Sequence, residues 1–184
     1  MPSPSAGLPD GETLLRAERH ARGLGSGLTA ADLTGLWRFH QVWPRSGGAP
    51  QAAASALLRA LQGSLEVGPA TGDTLPVHNR VQLGALELCF DGSGSLSGRR
   101  PLLRFWFDRW QLRLGERVLL ERPLQRPEWR ALPFFALIAR GHGGPAADGR
   151  DAAWLAARGR GGGLALWQRD PAGPAGRHAM GGTR

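Results

Sequence analysis

Two short motifs, one near each end of the chain, combine glycine with a residue that forms strong side-chain contacts. Gly35-x-Trp37 begins an alternating apolar run, and Arg158-Gly159 lies between two further runs. A guanidinium that lies over an indole face contributes roughly 0.5–2 kcal/mol, depending on desolvation. Because the first and last strands meet when a sheet closes on itself, we expect Trp37 to lie beside Arg158, with Arg169 as the second candidate. Gly35, Trp37, Arg158 and Gly159 are therefore predicted to close the sheet, unless Trp37 is an ordinary core residue.

The glycine-rich segment 158–163 has three interpretations with different chemistry. A glycine-rich loop can hold phosphate when a helix follows it, but residues 164–169 alternate as a strand does. An Arg-Gly-Gly segment can bind RNA, although such segments normally occur as long repeats. We favour the third interpretation, which is a tight hairpin between two strands with an Arg folded into it.

The aromatic residues indicate an apolar binding cavity. The chain contains seven Trp and six Phe residues, and large aromatic side chains at inward strand positions line apolar pockets. We predict that Phe39, Phe105 and Phe107 contact the hydrocarbon part of a ligand, and that Arg80 or Arg104 holds its polar end. Simple core packing by the same rings is the alternative.

The sequence contains no pattern typical of a catalytic or metal site. The five His residues are scattered, none is at metal-ligand spacing from Cys or carboxylates, and no Gly-x-Ser-x-Gly occurs. Cys89 is the single cysteine and has apolar neighbours, with no cation or helix start nearby that would make it reactive. We therefore predict a protein that is not an enzyme, with no catalytic residue, no metal and no cofactor.

Charge is concentrated in one segment. The chain has 184 residues and a formal net charge of +8. Residues 99–130 hold nine Arg against four acidic residues, which predicts a surface that could contact nucleic acid, anionic lipid or an acidic partner. No apolar run approaches the roughly 18 residues that span a bilayer. Residues 1–9 also lack the features of a secretory signal, so we expect a cytoplasmic or peripherally membrane-associated protein.

Three short helices are predicted. Asp10 can cap a first helix that runs to Arg22. Thr29 and Asp32 resemble a capping box, which would start one more helical turn. The alanine- and leucine-rich stretch 51–62 contains no proline and predicts a helix after the first strand.

The rest of the chain reads as short strands. Alternation over 36–43 predicts a first strand with Trp37, Phe39, Gln41 and Trp43 on one side. The further strand candidates are 64–67, 76–83, 85–90, 102–108, 109–114, 117–121, 134–140, 152–157 and 163–169. The glycines of 91–94 and 141–145 predict turns between strands.

Short strands at close spacing predict a mainly β protein. We expect a single antiparallel β-barrel domain over 10–169, with a short N-terminal helix and one helix after the first strand. Disordered tails are predicted at 1–9 and 170–184, since both are rich in proline and small residues.

In this order, these features resemble the plastid lipid-associated protein (PAP) family, also called fibrillins, from about Glu12 to Arg169. The matching stretches are Leu14-Leu15 before a glycine, Gly35-x-Trp37, Val77-His-Asn79, the run 99–107 and the run 154–167. The last stretch is the most specific, because the family ends on a leucine, an Arg-Gly pair, further glycines and an apolar strand. The chain departs from the family at His40-Gln41, where Tyr-Thr is usual, and at Ala156-Ala157, where the family has an acidic residue.

The resemblance implies a lipocalin-like (calycin) barrel of the cyanobacterial type. Its function would be the non-catalytic binding of an apolar small molecule (lipid, carotenoid or prenylquinone), with the protein cytoplasmic or peripherally associated with thylakoids. The partners would be a hydrophobic small molecule or lipid and the surface of a photosynthetic membrane. Two alternatives stay open: a bilin chromophore lyase-like barrel that acts on phycobiliproteins, and an RNA-binding barrel. Nucleic acid is the least favoured partner.

Overall fold

The computed structural model describes residues 7–60, 63–145 and 151–171. Within these residues the chain is mainly β, as predicted, with nine strands and three α-helices. The tails predicted at 1–9 and 170–184 lie largely outside the described residues. The elements in chain order are α1 (Gly11–Leu24), α2 (Ala30–Leu33), β1 (Gly35–Trp43), α3 (Ala52–Ala60), β2 (Ser64–Val67), β3 (Leu75–Leu83), β4 (Leu86–Ser97), β5 (Leu102–Leu114), β6 (Arg117–Pro123), β7 (Phe134–Pro145), β8 (Asp151–Gly159) and β9 (Leu164–Arg169).

Antiparallel hydrogen bonding joins the strands in a ring. The strands follow one another in the order β4-β3-β2-β1-β9-β8-β7-β5, and the ring closes because β4 also pairs with β5. The remaining strand, β6, pairs with the far part of β5. The first and last strands are neighbours, with Trp37 opposite Arg169 and Trp43 opposite Leu164. Residues distant in sequence therefore share one interior.

Two apolar clusters hold the elements together. The first fills the interior of the ring and includes Trp37, Leu103 and Leu155, each at most 2% exposed. The second lies between the ring and α1, where Leu14 packs in one cluster with Leu166. Complete burial of a leucine contributes about 1.5–3 kcal/mol, so α1 is held to the outside of the ring by its apolar side.

Both predicted N-caps are present. The Asp10 carboxylate accepts a hydrogen bond of 2.8 Å from the Thr13 amide at the start of α1. The Thr29 amide donates to the Asp32 carboxylate at 2.9 Å, at the start of α2. These bonds satisfy amides that have no partner within the helix.

A β-bulge in β1 interrupts the predicted alternation between Phe39 and Gln41. Trp37 and Phe39 pack in the interior cluster, whereas Trp43 packs in the outer cluster with Leu14. The prediction that these aromatic residues share one side was therefore wrong. An extra residue in one strand reverses the faces of all residues that follow it.

Two predicted turns are strand. Residues 91–94 lie inside β4 and residues 141–145 inside β7. The glycines of β4 provide space instead, because a Cβ on Gly92 would lie 2.0 Å from the carbonyl oxygen of Trp106. Gly92 pairs with Phe107 and Gly94 with Phe105, and a Cβ on Gly94 would lie 2.9 Å from the carbonyl oxygen of Arg104, so the two glycines allow the backbones of β4 and β5 to approach closely.

We predict that Gly92→Ala lowers the free energy of unfolding by about 3 kcal/mol, because the added methyl group overlaps backbone atoms that cannot move alone. Urea unfolding measures this change. Gly23→Ala is the control: Gly23 lies in α1 with no atom within 4 Å of an added Cβ, and this variant is expected to gain about 0.5–1 kcal/mol. Equal stability of the two variants would contradict the packing described for β4.

Candidate functional site

An apolar pocket of about 260 Å³ opens at one end of the ring. It lies where β1, β2, β3, β5, β7 and β9 come together, beyond the filled part of the interior. Its lining residues are Phe39, Gly63, Ser64, Leu65, Asn79, Val81, Phe105, Phe135, Ala165 and Trp167. We refer to this space as the apolar pocket.

Four aromatic rings from four different strands form the wall of the apolar pocket. The ring centroids of Phe135 and Trp167 are 5.1 Å apart, and those of Phe105 and Phe135 are 5.2 Å apart. Phe39 meets Trp167 edge-on at 6.4 Å. Each ring is held by its neighbour, so the pocket has a preformed shape.

Polar groups are few in the apolar pocket. Ser64 and Asn79 supply the hydroxyl and amide groups, and none of the described residues that line the pocket is charged. Transfer of an ionised group into such a site is costly without an opposite charge. The lining therefore suits an uncharged molecule with one or two hydrogen-bonding atoms.

The predicted ligand contacts divide between the pocket and other places. Phe39 and Phe105 line it. Phe107 contributes to the interior instead and contacts Phe105, with 5.6 Å between ring centroids. Arg80 and Arg104 are not among the lining residues, because each precedes an inward residue and strand alternation turns it to the opposite face. Arg80 lies 3.7 Å from the Glu66 carboxylate.

The basic segment 99–130 is partly occupied by contacts within the chain. The Arg104 guanidinium lies 4.9 Å from the ring centroid of Trp129, and Arg126 lies 3.5 Å from that of Trp106. Arg104 also donates a hydrogen bond of 3.2 Å to the Ser97 hydroxyl. Both indoles thus have one face covered by a guanidinium.

Trp37 and Gly35 lie together where β1 begins. Trp37 is fully buried, and its indole Nε1 donates a hydrogen bond of 2.7 Å to the Leu33 carbonyl. Gly35 has a φ of +141°, and a Cβ there would lie 3.0 Å from Nε of Arg169. Arg169 also donates to the carbonyl of Thr34 at 3.3 Å. Of the two arginines considered as neighbours of Trp37, Arg169 is therefore the one that lies at the beginning of β1.

Arg158 binds the carboxylate of Glu18 in α1 instead of approaching Trp37. Its Nε donates at 2.6 Å, and its Nη2 forms a second hydrogen bond to the other carboxylate oxygen. Arg100 and Arg22 donate to the same carboxylate at 2.7 and 2.9 Å. We call these four residues the Glu18 cluster. It joins α1, the β4–β5 turn and β8.

The Glu18 cluster determines the charge state of its acid. Burial raises the pKa of Glu18, but hydrogen bonds from Arg158 and Arg22 outweigh this effect and lower the pKa to about 2. The side chain is 4% exposed, so the carboxylate is ionised, buried and paired. Sequence reasoning missed Glu18, because nothing in the sequence connects it to Arg158, which is 140 positions away.

The hairpin between β8 and β9 has the predicted form. The amide of Gly159 donates to the Gly163 carbonyl at 3.0 Å, and the amide of Gly162 donates to the Gly159 carbonyl at 2.9 Å. Arg158 folds back over the turn and donates to the carbonyl oxygens of Gly162 and Arg45. Gly159 is thus part of a hairpin that holds an arginine in place.

A leucine-rich face extends beyond the apolar pocket on β3, β4, β5 and β6. The pairings of Leu83 with Leu86, Leu86 with Leu114 and Leu112 with Leu120 place these side chains in adjacent positions. Its exposed leucines are Leu83, Leu86, Leu114 and Leu120, which are 38–66% exposed. We call this surface the leucine face. Since Val81 lines the pocket and lies two residues before Leu83, pocket and face are continuous.

Other side chains that could take part in chemistry are held in structural contacts. His78 Nδ1 lies 2.7 Å from the Asp91 carboxylate, to which Arg109 donates at 3.0 Å. Burial, and then the neighbouring Glu87, raise the pKa of the Cys89 thiol to about 11, so the thiol stays protonated at neutral pH. Among the described residues no group of three or more His, Cys, Asp or Glu is placed to hold a metal ion.

None of the helices in the described part of the chain has the length and apolar character needed to cross a membrane.

No protein-family model matches this chain, and no curated protein is significantly similar to it in sequence. The resemblance to the PAP family therefore stays a prediction.

We predict that Glu18→Gln lowers the free energy of unfolding by about 3–5 kcal/mol at neutral pH, because three arginines lose their buried counter-charge. The folded-state pKa of Glu18, about 2, lies below its ordinary value of 4.5. Its ionisation therefore stabilises the fold above about pH 4.5, and this contribution is lost as pH falls towards 2. Urea unfolding of both proteins from about pH 7 to about pH 3 should show the difference shrinking.

Glu12→Gln is the matched control for this prediction. Glu12 lies in the same helix, pairs with Arg16 at 3.4 Å and is 78% exposed. Such surface pairs contribute little, so a change below about 0.5 kcal/mol is expected. A Glu18→Gln effect equally small at neutral pH would contradict the role assigned to the cluster.

Proposed function

We propose that this protein binds an uncharged apolar small molecule without catalysis, on a lipocalin-like barrel. The ligand belongs to the class of lipids, carotenoids or prenylquinones. The observation that carries the proposal is the apolar pocket, with its wall of four aromatic rings and no charged residue among the described lining. The family resemblance supports the same class of ligand.

The size of the apolar pocket limits what enters it. Sites that enclose a drug-sized ligand measure roughly 300–1,000 Å³, and this pocket has about 260 Å³. A quinone ring or the end of a hydrocarbon chain fits, whereas a whole carotenoid does not. The rest of the ligand would lie along the leucine face, where burial of each 100 Å² contributes about 2.5 kcal/mol.

The leucine face also suits contact with an anionic lipid surface. Residues 109–126 hold five Arg against two Glu, and Leu83 and Leu114 are 66% and 48% exposed. Leucines that enter the lipid boundary, together with arginines that meet anionic headgroups, are the two contributions typical of peripheral binding. We propose that the protein exchanges its ligand with a membrane, photosynthetic if the resemblance holds, at this face.

The two alternative functions gain no support from the site. A bilin carries propionate groups that need cations, and neither Arg80 nor Arg104 is among the lining residues of the apolar pocket. Base stacking on the basic segment needs open aromatic faces, and Trp106 and Trp129 each have a guanidinium over one face. The apolar ligand therefore remains the preferred function.

Filling the apolar pocket should abolish binding of an uncharged apolar probe. We predict that N-phenyl-1-naphthylamine gains fluorescence with the wild-type protein, and that Ala165→Phe weakens this binding at least about tenfold, because the new ring occupies the space. The fluorescence titration measures both dissociation constants. Ala70→Phe is the control, since Ala70 is exposed and lies outside the pocket. No probe binding, or the same affinity in all three proteins, would exclude the proposed site.

Removing leucines from the leucine face should weaken membrane binding. The double variant Leu83→Ser and Leu114→Ser is expected to bind vesicles of phosphatidylcholine and phosphatidylglycerol about tenfold more weakly, because two side chains no longer enter the lipid. Vesicle co-sedimentation measures the bound fraction. The control changes Leu24 and Leu57 to Ser, which are 68% and 59% exposed elsewhere on the surface. Equal loss in both double variants would argue against this face as the site of contact.

A further inference from the structure

A second cavity, of about 400 Å³, lies outside the ring beside α1. Five arginines line it: Arg22, Arg45, Arg100, Arg158 and Arg160. They come from α1, the segment after β1, the β4–β5 turn and the β8–β9 hairpin, so the fold gathers them from distant parts of the sequence. We call this cavity the arginine pocket.

The arginine pocket carries more positive charge than its surroundings neutralise. Glu18 accepts from three of the arginines, as described above, and no described residue that lines the pocket is acidic. One carboxylate thus faces five guanidinium groups. Like charges gathered around one cavity repel each other, and an anion with two or more negative charges would relieve this repulsion.

Donors in the arginine pocket remain available for a ligand. The Arg45 guanidinium has no hydrogen bond or ion pair to any described residue, and its side chain lies 3.3 Å from where a Cβ on Gly162 would be. Nε of Arg100 is buried without a partner among the described residues. Within the described part of the chain, Arg160 donates through Nη1 alone, to the carbonyl oxygens of Ala131 and Leu132. Its other guanidinium nitrogens have no partner among these residues and are open to a ligand.

We propose that the arginine pocket binds a phosphate group, either a phosphomonoester or a diphosphate. The planar fork of a guanidinium matches two phosphate oxygens, and several such forks suit a tetrahedral dianion better than a planar carboxylate. The volume exceeds that of a single phosphate, and Leu102, Phe134 and Ala136 give the pocket an apolar floor. An organic group attached to the phosphate would pack on this floor.

The arginine pocket is separate from the apolar pocket. Phe134 lines the first and Phe135 the second, and successive residues of a strand point to opposite faces. The two sites thus use opposite faces of the same β7 strand. The phosphate site does not rest on the function proposed above, and either one can fail without the other.

Inorganic pyrophosphate, titrated calorimetrically at constant ionic strength, is the direct probe. We expect saturable binding to the wild-type protein. The double variant Arg45→Gln and Arg160→Gln should bind at least about tenfold more weakly, because it loses charge-assisted hydrogen bonds. Both residues are exposed and outside the Glu18 cluster, so this variant is expected to keep its fold and its affinity for N-phenyl-1-naphthylamine. Arg117→Gln, on exposed β6, is the matched control and should bind pyrophosphate as the wild type does.

Vesicles that contain phosphatidic acid distinguish the source of the phosphate. Binding to free pyrophosphate that the double variant loses indicates a soluble phosphate compound. Binding to the vesicles alone, lost in the double variant and kept in Arg117→Gln, indicates a lipid headgroup. The proposal is overturned if neither probe binds, or if the double variant and Arg117→Gln bind equally well.

Discussion

The complete burial of Trp37 is the constraint on which the arrangement of the ring depends. A buried indole needs a partner for its N–H group, and the Leu33 carbonyl provides one at 2.7 Å. This bond fixes α2 against the beginning of β1, and Leu33 itself joins the interior cluster. The interior is therefore filled at this end. Two residues further along β1, Phe39 lines the space that remains, so the apolar pocket lies where the filling stops.

The outside of the ring is organised by charge as well as by apolar packing. Glu18 lies on the same helix as Leu14, and the helix therefore contacts the ring through an ion pair and through the outer cluster. A buried ion pair is a weak source of net stability but is sensitive to the loss of one partner. It specifies where α1 lies relative to the β8–β9 hairpin. The same geometry brings together the other arginines, which leaves the excess of positive charge beside α1.

Local signals in the sequence predicted most of the elements. The caps at Asp10 and Thr29 depend on neighbours three residues away, and strand alternation depends on the next few residues, so both are visible in a short window. The bulge after Phe39 and the role of the glycines of β4 are not visible in a short window, because each depends on a contact with another strand. Gly92 in a strand and glycine in a turn look alike until Phe107 is placed opposite Gly92. Similarly, the sequence shows that Arg80 and Arg104 are charged residues in alternating runs. The face of the sheet on which each side chain lies depends on the strand register.

Closure of the ring leaves an apolar pocket, which we propose binds an uncharged ligand. The most direct measurement is the change in the amide and indole NMR signals of the ¹⁵N-labelled protein on addition of a short-chain prenylquinone. We expect saturable shifts for Phe39, Leu65, Val81 and Phe105 and for the indole of Trp167, with little change at Trp37. Shifts confined to residues outside the pocket, or none at saturating ligand, would contradict this proposal.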